Sequence, residues 1–178
     1  MKKLLLFSIV FLTFISVNHA QEIFGIPSSG SSIVNITVPT DKWEVTNDEG
    51  LFSLVPKDSG EEARLIVMIW ASTDPTAETA IDDLSKEAFD VVGSLLEDIV
   101  WGEEVSDFES NGITFVANDG YGNFKNEDGS KDQMSTSVML FMPDETNILT
   151  LVFFGTAEAY DKWEASLLEV ILSITPAN

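Results

Sequence analysis

Cysteine is absent from this sequence, and its only histidine is His19, near the N-terminus. Without a thiol, the chain can form neither a disulfide nor a lipid-modified cysteine. Beyond residue 19 it has no imidazole either. Ser-His-Asp and Cys-His nucleophile systems, histidine-based zinc sites and histidine acid–base steps are therefore excluded. Carboxylates are the groups left for chemistry, and we expect no cofactor.

Basic residues are scarce as well. Nine lysines and arginines stand against thirty acidic residues, which gives a net charge of −21. The phosphate backbone of a nucleic acid requires a basic stripe that this composition cannot supply, and anionic membrane surfaces are disfavoured for the same reason. We therefore expect no nucleic-acid partner. Dense negative charge instead suits solubility, cation uptake or docking on a basic partner.

Residues 1–20 have the layout of a secretory signal peptide, with a positively charged start, an uncharged apolar run over 4–17 and a small residue, Ala20. The run is shorter than the roughly 20 residues of a membrane-spanning helix. We expect cleavage after Ala20, export to a periplasm or outside the cell, and no membrane insertion afterwards. Removing two basic and no acidic residues brings the net charge to −23.

The remaining chain predicts a loose, Ser- and Gly-rich segment over 21–32, then a single domain over 33–178. Short strand patterns are separated by turn residues such as those at 47–50 and 111–112. The predicted strands cover residues 33–38, 43–46, 51–55, 63–70, 104–109, 113–117, 134–142 and 148–154. Runs 63–70 and 148–154 are apolar on both alternating faces, which indicates central strands covered above and below.

Two longer segments repeat their apolar residues at three- and four-residue steps, as helices do. The first follows the start signals Thr73 and Pro75 and repeats Ala77, Ile81, Leu84, Ala88, Val91, Leu95 and Ile99. The second has Thr156 as N-cap and repeats Tyr160, Trp163, Leu167, Val170, Ile171 and Ile174. This order predicts an α+β fold, an antiparallel sheet of about six to seven strands with helices on both faces in an α/β/α sandwich.

A family resemblance covers essentially all of residues 33–175. It is carried by a hairpin with Trp43 and the run 50–53, a helix over 77–100, a meander with Gly112, Gly120 and Met139, the run 148–151, and a closing segment with Trp163, Leu167 and the run 171–174. In these the chain resembles the PsbP-like extrinsic subunits of photosystem II, the Ran-binding nuclear-transport protein of the same fold, and DcrB-type bacterial envelope proteins.

The resemblance implies a PsbP-like fold and a non-catalytic binding or scaffolding domain, because its residues are core and turn positions. Two features depart from these families. DcrB-type proteins are typically lipoproteins, and this chain has no cysteine to carry the lipid. The photosystem subunits have basic docking surfaces and, in some members, metal-binding histidines, which this chain lacks.

The oxygen-rich stretch 118–132 is the candidate cation site. Its candidate ligands are Asp119, Glu127, Asp128 and Asp132, and carboxylate oxygens in flexible turns are what calcium favours. The stretch misses the register of a helix-loop-helix calcium loop, since counting back from Gly129 places Phe124 at the first ligand position. Hairpin turns select the same residue types, so both interpretations stay open.

Two carboxylate pairs and two tryptophans complete the candidates. Glu103–Glu104 and the pair Asp107 and Glu109 have the residue types of a glycosidase acid and nucleophile, although surface charge explains them better. Trp43 and Trp101 lie at element ends, where an aromatic ring can line a groove.

Our leading hypothesis is an exported, acidic, non-catalytic binding or accessory module. It engages a protein partner through a groove between sheet and helix or through its acidic face. A calcium-binding protein is the first alternative, and a hydrolase of glycans that uses carboxylates alone is the second.

Overall fold

The computed structural model describes residues 20–48, 50–58, 65–71 and 81–177, with only the backbone for 81–85. The predicted signal peptide up to residue 19 and the predicted helix start at Thr73 and Pro75 lie outside the described residues. The elements in chain order are β1 Gln21–Ile26, β2 Val34–Pro39, β3 Trp43–Asp48, β4 Leu51–Pro56, β5 Leu65–Ala71, α1 Ile81–Leu95, β6 Glu97–Trp101, β7 Ser106–Ser110, β8 Ile113–Lys125, β9 Lys131–Met142, β10 Leu149–Thr156, α2 Ala157–Leu172 and β11 Thr175–Pro176.

The main sheet has eight antiparallel strands, which confirms the predicted α+β class. Its order is β3-β4-β5-β10-β9-β8, and both β6 and β7 pair with the outer side of β8. The two runs predicted to be central, now β5 and β10, lie next to each other in the middle of the sheet. The strand count exceeds the six to seven expected because residues 97–101, most of which the predicted helix includes, form the strand β6.

A second sheet has three strands in the order β1-β2-β11, and its first strand is formed by residues 21–26 of the segment 21–32 that we expected to be loose. β1 pairs with β2 along its whole length, from Gln21 opposite Pro39 to Ile26 opposite Val34. Phe24 packs on Phe52 of β4, with ring centroids 5.8 Å apart. Burial of the Phe24 and Phe52 side chains offsets the conformational entropy that is lost when this part of the chain becomes ordered. The many serines of the segment 21–32 made it look loose in the sequence.

The first helix ends earlier than predicted, and the face that it buries differs from the predicted face. It ends at Leu95 rather than continuing to residue 100. Ala88, Val92 and Leu96 are buried, whereas Leu95, a predicted core residue, is 37% exposed. The chain leaves the helix because residues 97–101 pair with β8, so a tertiary contact overrides the helical period.

Glycines in β8 make room for β6. A Cβ atom on Gly120 would lie 2.7 Å from the Trp101 ring and 2.9 Å from the Val100 carbonyl oxygen. No side chain fits there, so only glycine permits this approach. Asp98 adopts φ 54° where the pairing of β6 shifts register, which bends the strand onto the sheet.

The two faces of β5 belong to different apolar clusters. Leu65, Val67 and Ile69 pack in a cluster that includes α2 and the small sheet. Their neighbours Ile66, Met68 and Trp70 pack against the cluster that includes Ala88 and Val92 of α1. Because each face of β5 is covered by one of the two clusters, this central strand is apolar at every position.

The second helix has the predicted start and buried face. The Thr156 hydroxyl oxygen accepts a hydrogen bond from the Ala159 N–H at 3.2 Å, which confirms the N-cap. At the other end, the Asn111 side-chain amide donates to the carbonyl oxygens of Leu172 at 2.8 Å and Ile174 at 2.9 Å. The turn between β7 and β8 is thereby tied to the end of α2.

Candidate functional site

Trp43 is a core residue, which corrects its prediction as a groove residue. Its side chain is 1% exposed, and its ring lies 5.4 Å from that of Trp163. The indole N–H donates to the Ser166 hydroxyl oxygen at 2.9 Å. A buried indole with a satisfied donor stabilises the junction of β3 and α2 and presents no surface to a ligand.

Trp101 is half-buried at the end of β6. Its ring meets Phe89 of α1 edge-on, with centroids 4.5 Å apart and planes at 60°. It also lies against Gly120. These contacts hold β6 against the sheet and against α1. Part of the Trp101 ring remains exposed at the side of the sheet that β6 and β7 form.

The four candidate cation ligands do not come together. The Asp128 carboxylate accepts hydrogen bonds from the Ser130 hydroxyl at 2.6 Å and the Ser130 N–H at 2.8 Å, and these bonds lower its pKa. The Asn126 amide donates to Asp132 at 2.9 Å. Asp119 lies away from this turn, opposite Ser137 in the central part of the β8–β9 pair. Turn formation therefore accounts for the polar residues of the hairpin.

Metal-ligand chemistry gains no support from the rest of the described chain. Across residues 20–48, 50–58, 65–71 and 86–177, no three acidic or histidine side chains gather where they could hold a metal ion.

The two carboxylate pairs lie on the open rim of the main sheet. Asp107 and Glu109 occupy alternate positions of β7, so their side chains project from the same face, and both are exposed. Glu103 and Glu104 precede this strand and are exposed as well. Glycosidases hold two carboxyl groups across a bound sugar, whereas these four follow one another along a single exposed edge.

That rim carries six exposed carboxylates along one side of the main sheet. We call it the acidic edge and define it by its carboxylates, Glu97, Asp98, Glu103, Glu104, Asp107 and Glu109, all exposed. No lysine or arginine occurs between Lys86 and Lys125, a stretch with nine acidic residues. The edge therefore carries a negative field that its own strands do not neutralise.

One lysine compensates one end of the acidic edge. The Lys131 ammonium lies 2.8 Å from Glu97 and 3.2 Å from Asp98. Hydrogen bonds with Lys131 lower the pKa of both carboxyl groups, Asn123 adds a bond to Asp98, and the two carboxylates raise the pKa of Lys131. In the part of the chain that the structure describes, the other four carboxylates have no ion pair.

Apolar side chains accompany the charges. Val105 is 59% exposed between the two strands of the rim. Val100 of β6 and Tyr121 of β8 lie opposite each other, and each is 48% exposed. A surface with uncompensated charge and exposed apolar groups suits a partner segment that offers both basic and apolar side chains.

The sequence predicted an acidic docking face without assigning it to particular residues. The signal for the acidic edge is the absence of basic residues over 87–124, which becomes meaningful once β6 and β7 are known to share the outer side of β8. Composition averages the charge over the whole chain and hides this local asymmetry.

Comparison with known proteins identifies the fold. No family model matches the chain, and no curated protein matches its sequence. Among solved structures, a protein of unknown function from Pseudomonas aeruginosa matches with a TM-score of 0.53 and 13% identity, covering 89% of this chain and 98% of the other. LpqN, involved in cell envelope biogenesis of Mycobacterium tuberculosis, matches with a TM-score of 0.54 and 12% identity, covering 89% and 91%.

A third match is the cyanobacterial PsbP (CyanoP) from Synechocystis, with a TM-score of 0.50, 11% identity, and coverage of 89% of this chain and 93% of that one. The chain has a PsbP-like fold, as its residue pattern suggested. Structural matches with sequence identities this low support a shared fold and nothing about function. Within the described residues, no helix has the length and apolarity needed to cross a membrane.

Proposed function

We propose that this protein is an exported, non-catalytic binding module that engages a basic protein partner through its acidic edge. The observation that carries the proposal is the part of the acidic edge in β7 and the loop before it, where the four exposed carboxylates of Glu103, Glu104, Asp107 and Glu109 have no ion pair in the described chain. A rim of this kind attracts a positively charged partner from a distance and orients it on approach.

Two further observations support this proposal. Outside residue 19 the sequence has neither imidazole nor thiol, so the usual nucleophile and acid–base systems cannot be assembled. The signal-like residues 1–20 favour export, and one protein of the same fold, LpqN, is involved in cell envelope biogenesis. From these observations we infer export of this chain, and we do not transfer the role of LpqN to it.

The test compares matched charge variants. The edge variant carries Glu103→Gln, Glu104→Gln, Asp107→Asn and Glu109→Gln. The control variant removes the same charge from exposed positions elsewhere and carries Glu44→Gln, Asp48→Asn, Glu145→Gln and Glu164→Gln. Both are tagged and used, beside wild type, to capture crosslinked proteins from the native envelope fraction, read by mass spectrometry.

A basic partner that the wild type and the control enrich, that the edge variant loses and that salt releases is the expected result. Equal capture by all three proteins would place the binding surface elsewhere. Capture lost equally in both variants would mean that overall charge, rather than the acidic edge, attracts the partner.

A further inference from the structure

The backbone of β7 has an unused hydrogen-bonding side. Asn111 and Gly112 have φ angles of 52° and 75°, the two-residue type I′ turn of a tight hairpin. In such a hairpin the flanking residues, Ser110 and Ile113, exchange backbone hydrogen bonds, and bonded and non-bonded pairs then alternate along the ladder. Ser106, Phe108 and Ser110 therefore bond to β8.

It follows that the N–H and C=O groups of Asp107 and Glu109 point away from β8. No strand pairs with that side of β7 in the described chain. The same two residues carry exposed carboxylates on one face of the sheet. On the opposite face, Phe108 is half-buried and its ring stacks on Phe115, with centroids 4.7 Å apart and planes at 1°.

Charge selects the occupant of this free edge. A second copy of the chain would place carboxylates opposite Asp107 and Glu109, which is unfavourable for like charges in directly opposed cross-strand positions. Basic side chains at those positions would be favourable. Residues between them would lie beside Phe108, where an apolar side chain extends the apolar face.

We propose that the outer side of β7 accepts an extended partner segment as an additional strand, with basic residues at alternate positions opposite Asp107 and Glu109 and apolar residues between. This inference rests on the proposed function and specifies how its partner binds. Backbone hydrogen bonds to Asp107 and Glu109 hold the segment, and the alternation of its side chains determines recognition.

The test uses three short labelled peptides and the full mature chain. In the first peptide lysine and valine alternate. The second has the same composition with all lysines at one end. The third repeats the first with N-methyl groups on the backbone amides of the lysines, which keeps the charge and removes the N–H donors that would face Asp107 and Glu109. Binding is measured by fluorescence anisotropy, and deuterium exchange is followed at the backbone amides of Asp107 and Glu109.

The alternating peptide is expected to bind roughly tenfold or more tightly than either of the others, the equivalent of one or two net hydrogen bonds. It should also slow exchange at both amides. Asp107→Asn with Glu109→Gln should weaken it more than Glu103→Gln with Glu104→Gln, which removes equal charge outside the strand.

Two results would overturn the inference, and they differ in what they leave standing. Equal binding of all three peptides, still dependent on the edge charges, would refute strand addition and keep the proposed acidic docking. Binding unaffected by either pair of substitutions would refute both.

Discussion

Asn111 joins two parts of the fold, and its replacement separates two physical effects. Its backbone lies in the left-handed region at φ 52°, and its side-chain amide donates to Leu172 and Ile174 at the end of α2. Alanine loses both effects, because it lacks the amide and is strained at positive φ. Glycine loses only the hydrogen bonds, since it adopts positive φ freely.

The magnitudes follow from these two losses. A left-handed conformation costs a residue with a Cβ atom about 1–2 kcal/mol. Each net hydrogen bond contributes about 0.5–1.5 kcal/mol, towards the lower end for a partly exposed pair. Asn111→Ala should therefore lower the free energy of unfolding by about 2–4 kcal/mol. Asn111→Gly should lower it by about 1–2 kcal/mol.

Urea unfolding followed by tryptophan fluorescence measures both values, because Trp43 and Trp163 are buried near α2. Asn111→Asp is the matched isostere: it tolerates positive φ, but a carboxylate cannot donate to carbonyl groups and repels them, so it should be at least as unstable as the glycine variant. Equal stability of the alanine and glycine variants would refute the role of backbone strain. A glycine variant as stable as wild type would refute the role of the hydrogen bonds.

Three further predictions concern the packing of β6, its ion pairs and calcium. Gly120→Ala should lower the free energy of unfolding by about 1–3 kcal/mol, because its Cβ atom would meet Trp101. Gly93→Ala, at an open helical position, should raise the free energy of unfolding by up to about 1 kcal/mol. Equal effects of the two substitutions in thermal unfolding would contradict the close approach of β6. The pKa values of Glu97 and Asp98 are lowered from 4.5 and 3.8, so their contribution to stability is present above these values and is lost as pH falls through the folded pKa values. The pKa of Lys131 is raised from 10.5, so its contribution to stability is lost as pH rises through its own folded pKa. The difference in melting temperature between wild type and Lys131→Met should be constant between about pH 5 and pH 10 and shrink on both sides, and a difference that does not change with pH would exclude an ionic origin. Because Asp119, Glu127, Asp128 and Asp132 do not converge, the melting temperature should be the same in calcium and in chelator, and a rise of several degrees with calcium would restore the cation-binding alternative.

Sequence patterns predicted the fold where local chemistry and tertiary structure agree. The turn at 111–112 and the N-cap Thr156 depend on neighbouring residues alone, and both are confirmed. The run 148–154 is apolar on both faces because β10 lies centrally, and that too is confirmed. In each case the residues that determine the structure are adjacent in the chain.

Prediction failed where distant residues decide. Residues 97–101 continue a helical repeat, and only the glycines of β8, about twenty residues later, make a strand the better solution. Trp43 stands at the start of a strand, and its hydrogen-bond partner, Ser166, lies on the last helix. Neither contact leaves a trace in the local pattern, so a reading of single segments cannot find it.

The acidic edge shows why net charge alone did not identify the surface that we propose for docking. Exposed edge strands generally carry charged residues that prevent association with other chains, and Asp107 and Glu109 serve that purpose whatever else they do. In the proposed docking, the same two carboxylates repel a second copy and attract a basic strand, because the free backbone groups of Asp107 and Glu109 can bond to any strand whereas their side chains distinguish its charge. Under the proposed strand addition, protection against self-association and selection of a partner are two consequences of one arrangement. Neutralising Asp107 and Glu109 should weaken binding of a basic strand and, at high concentration, allow the protein to associate with itself. A variant that binds the basic peptide less tightly yet stays monomeric would mean that the other carboxylates of the edge suffice for protection.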